Sequence, residues 1–155
     1  MKSDSSINIE LIPEFIASND ECPQDPRLPN YVNISSPKTG DEVGLTTVVR
    51  GTVSKKDQSR VWVLLHRKDL KGQWWPQNKP VVDADGTWEM GAYFGQPVDI
   101  GFRFEIAVAT FGEKANEQIE KYHEYGVRTG QYLPMRFPKT TSNICIVTVK
   151  KTSHD

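Results

Sequence analysis

Cysteine and histidine are scarce in this sequence. Its 155 residues include two cysteines, Cys22 and Cys145, and three histidines. Two cysteines are too few for a disulfide-rich scaffold, and no two histidines have the spacing of zinc ligands. Cys145 lies in an apolar stretch, where a thiol is usually inert packing. We therefore expect no plausible disulfide, no metal centre and no cofactor.

The same scarcity argues against catalysis. The spacing of residues along the chain does not pair any nucleophile with a base. A hydrolase would need separated residues such as His66 and Asp69 to meet a nucleophile in space, and nothing in their spacing requires this. We therefore expect that the protein is not an enzyme.

Long apolar runs and an excess of one charge are also missing. No run approaches the ~18 apolar residues of a membrane-spanning helix. Residues 1–6 are not followed by the apolar core of a secretory signal. The 19 Lys and Arg balance 20 Asp and Glu, which argues against a polyanion binder that is basic all round. We expect a soluble, cytoplasmic protein that does not insert into membranes. An extracytoplasmic location stays open if a leader has been removed.

The first part of the chain differs in composition from the rest. Residues 1–29 are predicted to form an extended, mostly irregular arm. Within them, residues 19–29 are polar and rich in proline, so they cannot bury enough apolar area to offset the entropy cost of ordering. The domain proper is expected at residues 30–151, followed by a polar tail at residues 152–155.

Alternating patterns predict β-strands from about residue 31 onward. Residues 45–53 repeat their inward positions at every second residue, and Gly51 among them indicates a bulge or a close approach of another segment. Residues 61–65 are apolar on both faces, as in a central strand. Residues 83–86 end in Asp-Gly and give the strongest hairpin signal, although they also resemble the first half of a calcium loop. The pattern predicts an all-β domain.

A change of period late in the sequence predicts one helix. Ala115, Ile119 and Tyr122 have the spacing of a single helical face. Gly126 is placed to end the helix in a left-handed cap, so the helix is expected to run to Tyr125.

Residues 34–43 and 49–53 contain the motifs ISSPKTGDEV and VRGTV, and later stretches contain VWVL, WWPQ, DGTWE and GFRFEIAV. In this order the motifs resemble bacterial immunoglobulin-like or fibronectin-type β-sandwich modules. The resemblance covers about residues 30–112 and 143–151. It implies a mainly β, immunoglobulin-like two-sheet sandwich, and such modules serve as spacers, adhesins, ligand binders and docking surfaces.

Two departures from those modules are visible. The usual paired cysteines between the sheets are missing. A helix-containing insertion at residues 113–142 stands before the last strand, where most such modules have a short hairpin. The insertion is therefore the segment expected to carry what is particular to this protein.

The tryptophans are candidate contact residues. They could form an aromatic platform for sugar rings or nucleobases, or they could pack in the core. We expect Trp62 and Trp88 between the sheets. Trp74 and Trp75 are neighbours, so their rings point to opposite faces of a strand, and one of them must leave the core side.

A basic segment stands close to these tryptophans. Residues 55–79 carry seven Lys or Arg against two Asp. Arg67, Lys68 and Lys71 could bind phosphates, or they could form an ordinary solvated loop. The sequence contains no phosphate-cradling glycine loop and no base-reading motif.

The insertion is rich in residue types that occur at protein interfaces. One interpretation packs its helix across an open face of the sandwich. The other makes its apolar residues a docking surface for another chain, because Tyr, Met, Phe and Arg are enriched at interface centres. The candidate contacts are Tyr122, Tyr125, Tyr132, Met135, Arg136 and Phe137.

These features together predict a non-enzymatic binding or interaction module that docks onto another protein or associates with itself. The arm could add a strand to a neighbour's open sheet edge. The alternative is a carbohydrate- or nucleic-acid-binding module that uses an exposed tryptophan, Trp74 or Trp75, with Arg67, Lys68 and Lys71.

Overall fold

The structure, a computed structural model, describes residue 22, residues 31–54 and residues 60–153. These residues form two β-sheets and one α-helix, so the predicted mainly β class is confirmed. The strands are β1 (Val32–Ser36), β2 (Glu42–Val43), β3 (Thr46–Val53), β4 (Val61–Arg67), β5 (Trp75–Pro76), β6 (Val81–Val82), β7 (Thr87–Tyr93), β8 (Arg103–Thr110) and β9 (Cys145–Lys151). The helix, α1, spans Glu113–Thr129.

Several strands that follow each other in the sequence lie on different sheets. One sheet has the order β1-β3-β7-β6 and the other has β2-β9-β8-β4-β5. Pairing is antiparallel except between β2 and β9, which run parallel. The chain therefore crosses between the sheets several times, and one of these crossings, from β5 to β6, lies beside the candidate site.

Alternating side chains from both sheets meet in an apolar core. Val49 and Met90 of the first sheet contribute to it together with Val63, Ile106 and Val108 of the second sheet, and all five are buried. Removing this apolar surface from water is the main driving force for stacking the two layers. Of the inward positions predicted for residues 45–53, Val49, Gly51 and Val53 are buried, whereas Leu45 and Thr47 are partly exposed.

A second apolar cluster covers the opposite face of the larger sheet. Ile119 of α1 is fully buried against Trp62 of β4, whose indole N–H donates to Asn116 Oδ1 at 2.7 Å. The prediction that Trp62 packs between the sheets is therefore wrong, whereas Trp88 does lie there. The reason is that α1 covers this face, so both faces of β4 are buried.

The helix is longer than predicted. It runs past Gly126 to Thr129 and ends at Gly130, which has φ 76° and donates its N–H to the Gly126 carbonyl. Gly126 thus lies inside the helix, and the prediction of a cap there is wrong. A Cβ at Gly126 would overlap the ring of Tyr132, so glycine is needed at this position for close packing.

Gly51 has the role that its place in a strand predicts. A Cβ at this position would collide with the Asn33 carbonyl oxygen and with the Trp88 ring. The β1–β3 register also shifts between Ile34 and Ser36, opposite Gly51. Both expectations, a bulge and a close approach, are confirmed.

The Asp-Gly hairpin is confirmed between β6 and β7. Gly86 has φ 93° and donates its N–H to the Asp83 carbonyl at 2.9 Å. Asp85 accepts hydrogen bonds from the Thr87 amide at 3.0 Å and from its hydroxyl at 2.7 Å. The Asp85 carboxylate therefore stabilises the turn.

A disulfide joins Cys22 to Cys145, with Cα atoms 4.7 Å apart. The expectation that Cys145 is an unpaired thiol and that no disulfide forms is therefore wrong. Cys145 is fully buried in β9, and Cys22 packs against the core between the sheets. The two cysteines are 123 residues apart, so their proximity depends on the whole fold.

Several predictions fall on segments that are outside the described residues. Apart from Cys22, these segments include the whole predicted arm, residues 1–29. They also include residues 55–59, which hold the first two lysines of the basic segment, and the last residues of the tail, 154–155.

Candidate functional site

A cleft of about 530 Å³ opens where the chain crosses from β5 in one sheet to β6 in the other. Trp75, Pro76, Gln77 and Asn78 of this crossing line one side of the cleft. The volume lies in the range of small-molecule sites, roughly 300–1,000 Å³. The cleft therefore lies at an open edge of the sandwich and is large enough for an organic ligand.

The walls of the cleft are aromatic and come from four separate elements. Trp75 belongs to β5, Tyr93 to β7, Tyr122 and His123 to α1, and Tyr132 to the loop after the helix. The rings of Tyr122 and Tyr132 are 6.2 Å apart between centroids. Tyr93 is 60% exposed and Tyr132 is 48% exposed, so these rings present surface to a ligand.

The loop after α1 is attached to β5 by main-chain and side-chain bonds. Trp74 and Met135 exchange two backbone hydrogen bonds of 2.8 Å each. The Trp75 indole N–H donates to the Tyr132 carbonyl at 3.0 Å. These bonds fix the relative position of the two walls.

Trp74 and Trp75 point to opposite faces, as their adjacent positions predict. Trp74 is buried, with its ring stacked on His66 at 4.5 Å and in edge contact with Phe137 at 4.9 Å. Trp75 is partly exposed and lines the cleft. Of the two tryptophans, Trp75 is therefore the one available to a ligand.

Two polar atoms at the cleft lack hydrogen-bond partners among the described residues. They are the Tyr122 hydroxyl and His123 Nε2, and both are buried from water. The third such atom, Trp88 Nε1, belongs to the core between the sheets. A buried polar group without a partner destabilises a fold by about 1–3 kcal/mol. Both residues line the cleft, but the two atoms are closed to water, so a ligand reaches them only when the side chains that cover them shift.

The protonation of these two groups follows from their surroundings. Burial, with a smaller contribution from Tyr132, raises the pKa of Tyr122 to about 12, so its hydroxyl is a donor at neutral pH. Burial lowers the pKa of His123, and a hydrogen bond to the Gln77 backbone opposes the shift. A neutral imidazole carries one ring proton, so Nε2 either donates or accepts according to the tautomer.

The cation at the cleft is already paired. Arg67 binds Asp69 through Nε at 2.7 Å and Nη2 at 3.0 Å, and its Nη1 donates to Asp99 at 2.9 Å. Its guanidinium carbon also lies 4.0 Å from the centroid of the Phe102 ring. Arg67 therefore supports the wall of the cleft and has little capacity left for an anion.

A buried lysine shapes the loop beside Asp99. The Nζ of Lys151 donates to the Phe94 carbonyl at 2.8 Å and also to the Gln96 carbonyl. Burial lowers the pKa of Lys151, and the charge of Asp99 opposes the shift. Gly95, Gln96 and Asp99 line the cleft, so the hydrogen bonds of Lys151 fix the position of this wall.

The structure brings together part of the predicted binding set. The predicted residues that line the cleft are Arg67, Trp75, Tyr122 and Tyr132. Those that pack inside the protein in whole or in part are Trp74, Met135 and Phe137. The exposed ones that do not line the cleft are Lys68, Lys71, Tyr125 and Arg136.

Sequence reasoning missed the other residues that line the cleft, among them Tyr93, His123 and Gln77. Tyr93 occupies an outward position of a period-two strand, which was a usable signal. His123 follows Tyr122 on the helix, but only the fold shows that both line the same cleft. Gln77 connects the walls, since its side chain accepts from the Tyr93 amide and donates to the Trp75 carbonyl.

His66, which a hydrolase would need close to Asp69 and a nucleophile, instead lies beside a buried carboxylate. His66 Nε2 lies 3.6 Å from Glu105 Oε1, and both side chains are buried. Asp69 binds Arg67 on the other face of β4. The structure therefore places His66 and Asp69 in different networks.

A comparison with protein-family models and with curated protein sequences finds no match for this chain. In the described ranges, no helix is both long and apolar enough to cross a lipid bilayer. Within the same part of the chain, no three His, Cys, Asp or Glu side chains lie close enough together to hold a metal ion. The groups that the cleft presents are aromatic rings, amides and two buried hydrogen-bonding atoms.

Proposed function

We propose that the protein is a non-enzymatic binding module whose ligand occupies the cleft between Trp75 and Tyr132. The observation that carries the proposal is the pair of unpartnered atoms, Tyr122 Oη and His123 Nε2, at the wall of an aromatic cleft. A ligand that bonds to both atoms would remove a cost that the free protein bears. The exposed rings would supply apolar contact area at the same time.

The topology that we propose for this module is immunoglobulin-like. Immunoglobulin sandwiches place strands A, B, E and D in one sheet and strands C, F and G in the other. If β1 is strand A, the order β1-β3-β7-β6 corresponds to A-B-E-D, and β9-β8-β4 corresponds to G-F-C. The strand order supports this assignment, and β5 then takes the edge position next to strand C.

We also propose that the protein works in an oxidising compartment. The support is the Cys22–Cys145 disulfide, because such bonds persist outside the reducing cytosol. From the sequence, no disulfide and a cytoplasmic location were expected, and the bond between Cys22 and Cys145 favours the extracytoplasmic alternative. Alkylation of the protein directly in its host cells should find neither thiol free. Two free thiols under those conditions would refute the oxidising location.

The binding proposal can be tested with the four tryptophan indole signals of a ¹⁵N-labelled protein. A fragment library is titrated into the intact chain, and binding in the cleft should shift the Trp75 indole signal, whose N–H bonds to Tyr132. Tyr132→Ala keeps the Trp75 signal, because the indole bonds to the main-chain carbonyl of residue 132, and it should abolish the response. Val127→Ala is the control, because Val127 is an exposed residue of α1 that does not line the cleft. A library without any hit at the cleft would refute the proposal.

A second candidate function is self-association through the outer face of α1. Lys121, Glu124, Tyr125 and Arg128 line a shallow depression there. Tyr125 is 45% exposed, and the depression carries both signs of charge, so two copies related by a two-fold axis could pair opposite charges. Light scattering should then give twice the 17.6 kDa chain mass, and Glu124→Lys should restore the monomer. A monomeric mass at high concentration would exclude this candidate.

A further inference from the structure

The charges at the cleft indicate a neutral ligand. Of the described residues that line the cleft, Arg67 and Asp99 are the charged ones, and they bind each other at 2.9 Å. Arg67 also makes two bonds to Asp69. A phosphate or carboxylate would have to displace these partners, whereas an uncharged molecule leaves the network intact.

The two unpartnered atoms require complementary partners close together. Tyr122 Oη can donate or accept, and His123 Nε2 donates or accepts according to its tautomer. The two atoms belong to consecutive residues of α1. A hydroxyl group both donates and accepts, whereas an amide N–H only donates and a carbonyl only accepts. A molecule with several hydroxyls on one ring therefore satisfies both atoms most simply.

The aromatic walls add a third requirement. Trp75, Tyr93 and Tyr132 offer ring surface at an opening that is accessible to solvent. Aromatic rings pack well against apolar C–H groups, and each also has a polar edge. A sugar ring has this combination, because its axial C–H bonds form an apolar face and its hydroxyls surround the rim.

We propose that the cleft binds a neutral carbohydrate, with C–H faces of the sugar rings against Trp75 and Tyr132 and with hydroxyls bonded to Tyr122 Oη and His123 Nε2. The inference rests on the proposed function of the cleft as a binding site and names its ligand class. Asn78 and Gln96, at the mouth of the cleft, supply further amide groups for the outer hydroxyls. The module would thus recognise an uncharged glycan segment.

The experiment uses the intact, disulfide-bonded chain on an array of immobilised oligosaccharides. The array contains neutral gluco-, manno- and galacto-oligosaccharides and N-acetylglucosamine oligomers, together with uronate and sulfated counterparts and a set of proline-rich peptides. We expect binding to a neutral series, with an affinity that changes little when salt is raised, since screening acts on charged partners. Binding only to acidic glycans or only to peptides would overturn the carbohydrate assignment.

Variants at the cleft separate specific contacts from loss of the fold. Tyr122→Phe removes one hydroxyl and keeps the ring, so it should weaken binding of the array-selected glycan roughly tenfold in calorimetric titration. Trp75→Ala should abolish binding, and Val127→Ala, at an exposed position of α1 outside the cleft, should leave it unchanged. Circular dichroism of each variant confirms that it is folded. A Tyr122→Phe variant with unchanged affinity would overturn the assigned hydroxyl contact.

The array and the fragment titration fail in different ways. If no neutral glycan binds but fragments still shift the Trp75 indole signal, the carbohydrate assignment is wrong and the cleft binds another class of molecule. If neither gives a response at the cleft, both the ligand class and the proposed function are wrong. Binding of a neutral glycan that survives Trp75→Ala would place the glycan elsewhere on the protein and would also overturn the inference.

Discussion

The indole N–H of Trp75 donates to the main-chain carbonyl of Tyr132 across 3.0 Å, joining residues that are 57 positions apart. Trp75 belongs to the edge strand β5, and Tyr132 belongs to the loop that follows α1. The two side chains also line facing parts of the cleft. One hydrogen bond therefore couples the position of the insertion to the edge of the sandwich.

Trp75→Phe tests this coupling because it removes the indole N–H and keeps an aromatic ring. We expect a loss of stability of about 1 kcal/mol or less, since the bond is partly exposed to solvent. We expect a larger effect on ligand affinity, because the Tyr132 wall loses its attachment. Urea denaturation measures the first effect, and titration with the ligand found on the array or in the library measures the second. An affinity equal to that of the wild type would mean that the bond does not position the wall.

Gly126→Ala gives an unusual prediction for a helix interior. Replacing glycine with alanine within a helix normally stabilises it by about 1 kcal/mol. Here the new Cβ would overlap the Tyr132 ring, so Tyr132 must move out of the cleft wall. We expect no gain in thermal stability and a loss of ligand affinity. Gln118→Ala, at an exposed position of the same helix, is the control and should change neither quantity. A stabilised Gly126→Ala variant with normal binding would contradict the packing described here.

Local patterns predicted the strands and the opposite orientations of the Trp74 and Trp75 rings. Both follow from the two-residue period of a strand, which depends only on the chain near each residue. The burial of Trp62 under α1 could not be predicted in this way, because it depends on where a helix fifty residues later packs. The disulfide between Cys22 and Cys145 was missed for the same reason.

Which residues of the cleft are free to bind a ligand also depends on contacts between segments that are distant in the sequence. Arg67 was considered either as a phosphate contact or as part of a solvated loop, and in the structure Asp69, two residues away, neutralises its charge. The second partner, Asp99, is 32 residues away and becomes visible only when β4 and the loop after β7 come together. Residue types thus indicated which side chains are able to bind, and the fold decided which of them remain available.

The state of His123 predicts how binding depends on pH. Burial lowers its pKa below the ordinary 6.5, so below pH 6.5 the unfolded chain takes up protons more readily than the folded protein. The folded protein should therefore be most stable above pH 6.5. Its free energy of unfolding should fall as the pH decreases from 6.5 toward the folded-state pKa of His123. Once His123 is protonated, Nε2 becomes a donor, so affinity for a ligand that donates to it should fall too.

The groups around His123 make His123→Gln the suitable comparison. Its ring stacks on Trp62 at 5.3 Å and meets the Tyr122 ring edge-on at 5.4 Å, and the ammonium of Lys79 lies over Trp62 at 4.3 Å. The variant keeps an acceptor and does not titrate. The difference in stability and affinity between wild type and His123→Gln, measured from pH 7 to 5, removes the contributions of the other histidines. Parallel pH profiles would show that His123 is not responsible.

Lys151 offers a test of the wall formed by residues 95–99. Its Nζ donates to the carbonyls of Phe94 and Gln96, and Lys151→Met leaves both without this donor. We expect a loss of about 1–3 kcal/mol in unfolding free energy and weaker ligand binding. Lys150→Met, at the exposed neighbouring position, should stay within about 0.5 kcal/mol of wild type.

The lowered pKa of Lys151 adds a dependence on alkaline pH. Between its folded value and the ordinary 10.5, the unfolded chain binds more protons than the folded protein. Wild-type stability relative to Lys151→Met should therefore rise as the pH increases toward 10.5, because the folded protein no longer has to bury a charge. Denaturation midpoints at pH 7 and at alkaline pH measure this difference. A gap between the two proteins that shrinks with increasing pH would contradict the burial of a charged amine beneath the cleft.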